Sequence, residues 1–68
     1  MNREERLKRY EILENLRSEK GVRYSAIAKE LGLPPVIFSD WKSGKSMPKG
    51  DKMEKIADYF GVPSRTFY

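Results

Sequence analysis

The stretch Arg23–Gly44, RYSAIAKELGLPPVIFSDWKSG, reads as two short amphipathic helices joined by a glycine-containing turn. Ile27, Ala28 and Leu31 recur at helical spacing, and Gly32 closes that segment. Pro34-Pro35 opens the next one, because proline is tolerated in a helix's first turn and nowhere deeper. Phe38 and Trp41 form its inward side, and Gly44 ends it. The spacing predicts helices over about 24–31 and 35–43. In such a corner Ala28 must be small where the two helices approach. Gly32 permits a backbone turn that alanine would strain, Leu33 plugs the crevice, and Phe38 locks the second helix down. Any tight helical corner shares these packing demands.

Upstream, Leu7, Tyr10, Leu13 and Leu16, with Ile12 alongside, make an apolar stripe that predicts a helix over about 3–20, stopped by Gly21. Downstream, Lys45-Ser46-Met47-Pro48 reads as a loop. Met53, Ile56, Ala57 and Phe60 then mark a helix over about 50–60, with Asp51 at the positive end of its dipole. Gly61 ends it. Val62 and Phe67 read as a final apolar clamp, and Pro63-Ser64 starts a short turn over 64–68. Nothing reads as a strand. The expectation is an all-α domain, residues 1–68, of four to five helices with a helix-turn-helix at its centre. A chain this short buries only about 60% of its unfolded surface, so local contacts have to help.

Composition removes several function classes. The chain has neither cysteine nor histidine, so no disulfide framework and none of the usual zinc sites is expected. Leu33–Phe38 is too short and too proline-rich to span a membrane, and the first helix is charge-balanced rather than basic, unlike a membrane-surface helix. The first six residues lead into no apolar stretch, so no secretory signal is read. A bacterial cytoplasmic or nucleoid location is the expectation left. No nucleophile–base pair or general base with a pocket is legible, so the chain is not expected to be an enzyme, and no cofactor or small-molecule substrate is expected. Ser43-Gly44-Lys45-Ser46 echoes a phosphate-binding loop. The full pattern needs a glycine where Ser39 stands and a preceding strand, so chance explains the echo.

The formal charge is +4, from 14 basic and 10 acidic residues, and it is unevenly placed. Residues 1–19 and 53–68 are each balanced. Residues 20–52 carry Lys20, Arg23, Lys29, Lys42, Lys45, Lys49 and Lys52 against only Glu30, Asp40 and Asp51. A confined basic excess is the footprint of a phosphate-binding face, although solubilising lysines produce one too.

Ile27-Ala28-Lys29-Glu30-Leu31-Gly32-Leu33, then Phe38-Ser39-Asp40-Trp41-Lys42-Ser43-Gly44-Lys45, then Pro48, then Lys55-Ile56-Ala57-Asp58-Tyr59-Phe60-Gly61-Val62 resembles the Cro/CI-type (XRE) helix-turn-helix family of phage repressors. The resemblance runs from about Leu13 to Phe67. Each piece is weak alone; their order and spacing together are specific. The resemblance implies a lambda-repressor-like fold whose third helix lies in the major groove of double-stranded DNA, bound as a homodimer on half-sites about one helical turn apart. Base-facing positions are then Pro35, Val36, Ile37, Ser39 and Asp40. Phosphate contacts come from Arg23, Tyr24, Lys42, Ser43, Lys45 and Lys49. The helical spacing from Phe38 puts Trp41 in the core rather than against a base.

Four departures from the family pattern stand out. Arg23 and Tyr24 replace a Ser or Thr cap followed by Gln, which costs about 1 kcal/mol of capping. Pro35, Val36 and Ile37 offer no side-chain hydrogen bond, so they are expected to pack on thymine methyls. Asp40 either accepts from a cytosine amino group or serves Lys45 as a surface partner. Arg17 and Lys42 are both basic where the family pairs a base with an acid, which leaves Arg17 to Glu14 or solvent. The alternative reading is a protein-interaction module that keeps the fold without the sequence-specific read, motivated by the Pro35-Val36-Ile37 triplet. Tyr68 falls where a fifth helix would begin, a region that aids dimerisation in such repressors. A fragment of a longer regulator and a dimer that pairs firmly only on DNA both stay open.

Overall fold

Asn2 starts the first helix: its Oδ1 accepts the Glu5 N–H at 2.8 Å, satisfying one of the donors a helix start leaves unpaired. Glu4 and Glu5 follow in the first turn, where the helix dipole favours acids. The computed structural model describes residues 1–68 as α1 (Arg3–Lys20), α2 (Tyr24–Leu31), α3 (Val36–Lys42), α4 (Gly50–Phe60) and a closing 3-10 helix (Ser64–Phe67), with no strand. The fold is all-α. α2 has no side-chain cap, and Arg23 at its cap position makes no capping hydrogen bond.

α3 is shorter than the stretch 35–43 that the spacing predicts. Pro35 has helical dihedrals, φ −57° and ψ −25°, but flanks the helix. The opening turn is closed by i→i+3 bonds, Ile37 N–H to the Pro34 carbonyl and Phe38 N–H to the Pro35 carbonyl, the tighter geometry common at helix starts. Ser43 likewise lies just outside with helical dihedrals. Between α2 and α3 the chain reverses at Gly32, whose φ of +68° is the left-handed region glycine enters at no steric cost. The Leu33 N–H then closes the turn onto the Ala28 carbonyl at 2.9 Å.

The core is made of Leu13 from α1, Ile27 and Ala28 from α2, Leu33 from the turn, Phe38 and Trp41 from α3, Met53, Ile56 and Ala57 from α4, and Phe67. No polar or charged residue is buried with them. Trp41, wholly buried, meets Phe67 edge-on at 5.7 Å between ring centroids and Tyr10 edge-on at 6.2 Å, the geometry ring quadrupoles favour. Its indole N–H donates to the Arg6 carbonyl at 3.0 Å, so the one polar atom of the largest core residue is satisfied. The clamp therefore closes with Phe67 fully inside and Val62 half-buried. α3 is thus packed on one face by α1 and the terminal 3-10 helix and left open on the other.

Candidate nucleic-acid interface

The open face of α3 follows from its helical period. Phe38 and Trp41 point into the core, so Pro35, Val36 and Ser39 are left exposed, with Ile37 and Asp40 half-buried at its margins. Val36 is 54% exposed, a large apolar surface for a core-forming residue type. Ile37 borders an open groove of about 420 Å³ that continues over Pro48 to Lys49 and Lys52 at the start of α4. All five base-facing expectations therefore lie on one edge of the molecule or at its margin. Asp40 pairs with no cation; its backbone carbonyl accepts the Lys45 N–H at 2.9 Å, so Lys45 meets it through the amide and not the ammonium.

Lys42, Lys45 and Lys49, at the C-terminal end of α3 and in the loop to α4, are exposed, and none forms an ion pair. Arg23 is exposed at the start of α2. Ser43 is exposed, but its donors are already used. Its Oγ–H donates to the Asp40 carbonyl at 3.0 Å and its N–H to the Ser39 carbonyl. The Ser39 hydroxyl similarly donates back to the Val36 carbonyl at 3.2 Å.

Tyr24 sits inside a network rather than on the rim. Its hydroxyl donates to Glu14 Oε1 at 2.8 Å, and its ring lies 5.0 Å from that of Phe38 and 5.8 Å from that of Tyr10. Burial, with Tyr10 and the Glu14 carboxylate alongside, pushes its hydroxyl well above the usual phenol range, which keeps it a donor. Arg17 completes the cluster. Its guanidinium grips Glu14 at 2.8 and 2.6 Å, donates to the Val22 carbonyl at 2.9 Å and lies 5.3 Å over the Tyr24 ring. Of the two fates left open for Arg17, the structure shows the pairing with Glu14. Hydrogen bonds from Arg17 and Tyr24 hold the Glu14 carboxyl down at about 2, and the Lys42 ammonium adds a weaker pull.

Arg3 and Arg6 belong to the charged run Arg3 to Arg9, which reads from sequence as a solvated helix face with no role at the interface. Arg3 Nε donates to the Ser43 carbonyl at 3.0 Å and Arg6 Nε to the Gly44 carbonyl at 2.8 Å. Both therefore cap the C-terminal end of α3, where orphan carbonyls concentrate negative partial charge. A charge count over α1 hides them, because the acids of that helix balance it. The available signal is their i, i+3 spacing, which puts both on one face with Leu7.

A comparison with protein families matches the helix-turn-helix domain over residues 10–68, nearly the whole of the interface and the core beneath it. No curated protein and no solved structure matches the chain.

Proposed function

The chain belongs to the helix-turn-helix domain family, and on that footing we propose that it is a phage- or prophage-type transcriptional repressor that reads double-stranded DNA sequence with α3 in the major groove. The observation that carries this reading is one edge of α3 on which Pro35, Val36 and Ser39 are exposed, with Ile37 and Asp40 half-buried at its margins and the exposed, unpaired Lys42, Lys45 and Lys49 following in the chain. Arg23 at the start of α2 lies across the turn from it. In this reading the lysines and Arg23 hold phosphates. Pro35, Val36 and Ile37 pack on thymine methyls, and Ser39 and Asp40 face base edges. A domain this small covers one half-site, so a homodimer on a two-fold operator is part of the proposal, as is a cytoplasmic site of action.

The test is anisotropy of a labelled random-sequence duplex titrated with the protein across a salt series. Four cationic phosphate contacts per protomer give log K against log salt a slope of about −3.6 for each bound protomer. Absence of affinity even at low salt overturns the reading.

The exposure of Val36 favours a second reading, in which the apolar triplet docks a protein partner. The double variant Lys42→Glu/Lys45→Glu separates the two. It abolishes binding to DNA, whereas a partner seated on Pro35, Val36 and Ile37 is retained.

A further inference from the structure

We infer that Arg3 is an additional phosphate contact of this interface, delivered by α1 to the C-terminal end of α3 and held there by its own hydrogen bond to the Ser43 carbonyl. The inference rests on the DNA-binding reading above.

The physical difficulty at this edge is the end of α3 itself. Its last carbonyls carry roughly half a negative charge between them and sit beside Lys42, Ser43 and Lys45, where the phosphates are to pass. Two arginines offset that. Arg3 and Arg6 aim Nε at the two carbonyls that directly follow the helix, those of Ser43 and Gly44, at 3.0 and 2.8 Å. What remains of each guanidinium differs. Arg6 is half-buried, and its Nη1 is committed to the Met1 carbonyl at 2.6 Å, so it is a positioning residue. Arg3 is exposed, and neither of its Nη groups has a partner. Neither Glu4 nor Glu5, its neighbours in the first turn, forms an ion pair with it.

Arg3 also answers a shortage at this edge. Ser43 has spent its hydroxyl and amide hydrogens inside the helix, so it has no donor left for a phosphate. The Arg3 fork lies against the Ser43 carbonyl and carries the free N–H pairs that anion recognition needs. The approach is close by construction. A Cβ on Gly44 would stand 2.6 Å from Arg3 Cγ, so only glycine lets the arginine lie across the end of the helix.

The experiment compares the full chain with Arg3→Gln and Lys8→Gln in anisotropy titrations of one random-sequence duplex over a salt series. Lys8 is exposed on the same helix, makes no hydrogen bond or ion pair, and is five residues along, facing away from Arg3. Both substitutions remove one positive charge. Arg3→Gln is expected to weaken binding about tenfold at roughly 0.1 M salt and to reduce the slope by about 0.9, with Lys8→Gln leaving the slope unchanged. A purely structural role for Arg3 lowers the melting temperature and leaves the slope intact, which overturns the inference while the DNA reading stands. An equal loss of slope in both variants overturns it in the same way. If the unaltered chain shows no binding in these titrations, the DNA reading itself fails and takes the inference with it.

Discussion

At its C-terminal end α3 is tied to α1 by Arg3 on the Ser43 carbonyl, Arg6 on the Gly44 carbonyl and the Trp41 indole on the Arg6 carbonyl. At its N-terminal end no side chain caps it, two prolines stand where donors would be, and Val36 is left 54% exposed. The first end is fixed by polar contacts that cross the sequence, the second by the local stiffness of Pro34-Pro35 and by the apolar packing of Ile37 and Phe38. A helix of seven residues is too short to persist alone, so its orientation comes from what grips it. The contrast suits a reading helix. Under the proposed DNA-binding reading, the gripped end would fix where the phosphates lie and the bare end would carry the side chains that meet the bases.

The gripped end breaks most severely at Gly44. Gly44→Ala places a Cβ in the left-handed region at φ +78°, at a cost of about 1–2 kcal/mol. That Cβ also drives Arg3 off the Ser43 carbonyl, losing a hydrogen bond worth about 1 kcal/mol. A total of about 2–3 kcal/mol is expected from urea midpoints. Gly32→Ala is the matched control, since its φ is +68° but nothing lies within 4 Å of the added carbon. It should cost only the conformational part, about 1–2 kcal/mol. Equal losses in the two variants would remove the arginine grip from the account.

The bare end shows the opposite response. Val36→Ser alters a side chain that touches little of the core, so stability should move by no more than about 0.5 kcal/mol in the same urea titrations. Base preference should change instead. If Val36 packs on a thymine methyl, selection from a random DNA pool loses its preference at one base pair, by about 1 kcal/mol at the low end of such contacts. A fall in stability comparable to that of Gly44→Ala would show that the bare end carries the fold after all.

The two ends were also unequally legible in the sequence. Gly32, the paired prolines, and the stripes through Ile27, Ala28, Phe38 and Trp41 speak through local chemistry and a fixed period, so the corner and its open face could be read directly. Arg3 and Arg6 act across 40 and 38 residues, a separation no periodicity encodes. Tyr24 illustrates a different limit. The resemblance implies a phosphate contact at Tyr24, but whether an aromatic lies over its own helix or out on the rim depends on which partner stands opposite. Here Glu14 and Phe38 draw it in. Ser43 was legible in place but not in state, because the helix itself consumes its hydrogens.

Glu14 links the comparison to pH, with the smallest expected effect. Its carboxyl is lowered to about 2 in the folded chain, by the Arg17 hydrogen bonds first and by Tyr24 second. A depressed carboxylate favours folding when ionised, so its contribution is complete above the unfolded value near 4.5 and is lost as pH falls from there toward 2. The side chain is 40% exposed, and solvent screening brings the gain down to about 0.5 kcal/mol. Glu14→Gln should therefore lower stability slightly at neutral pH and flatten the acid limb of stability between pH 4.5 and 2. Thermal melts across that range read both. The cluster touches α3 through the Tyr24 ring on Phe38, through Tyr10 edge-on to Trp41 and through the Lys42 ammonium, none of which involves the Arg3 or Arg6 guanidinium, so their grip on the far end should be unaffected. DNA affinity at neutral pH should then change less in Glu14→Gln than in Arg3→Gln. A larger loss from Glu14→Gln would mean that the start of α2, and not the C-terminal end of α3, sets the position of α3.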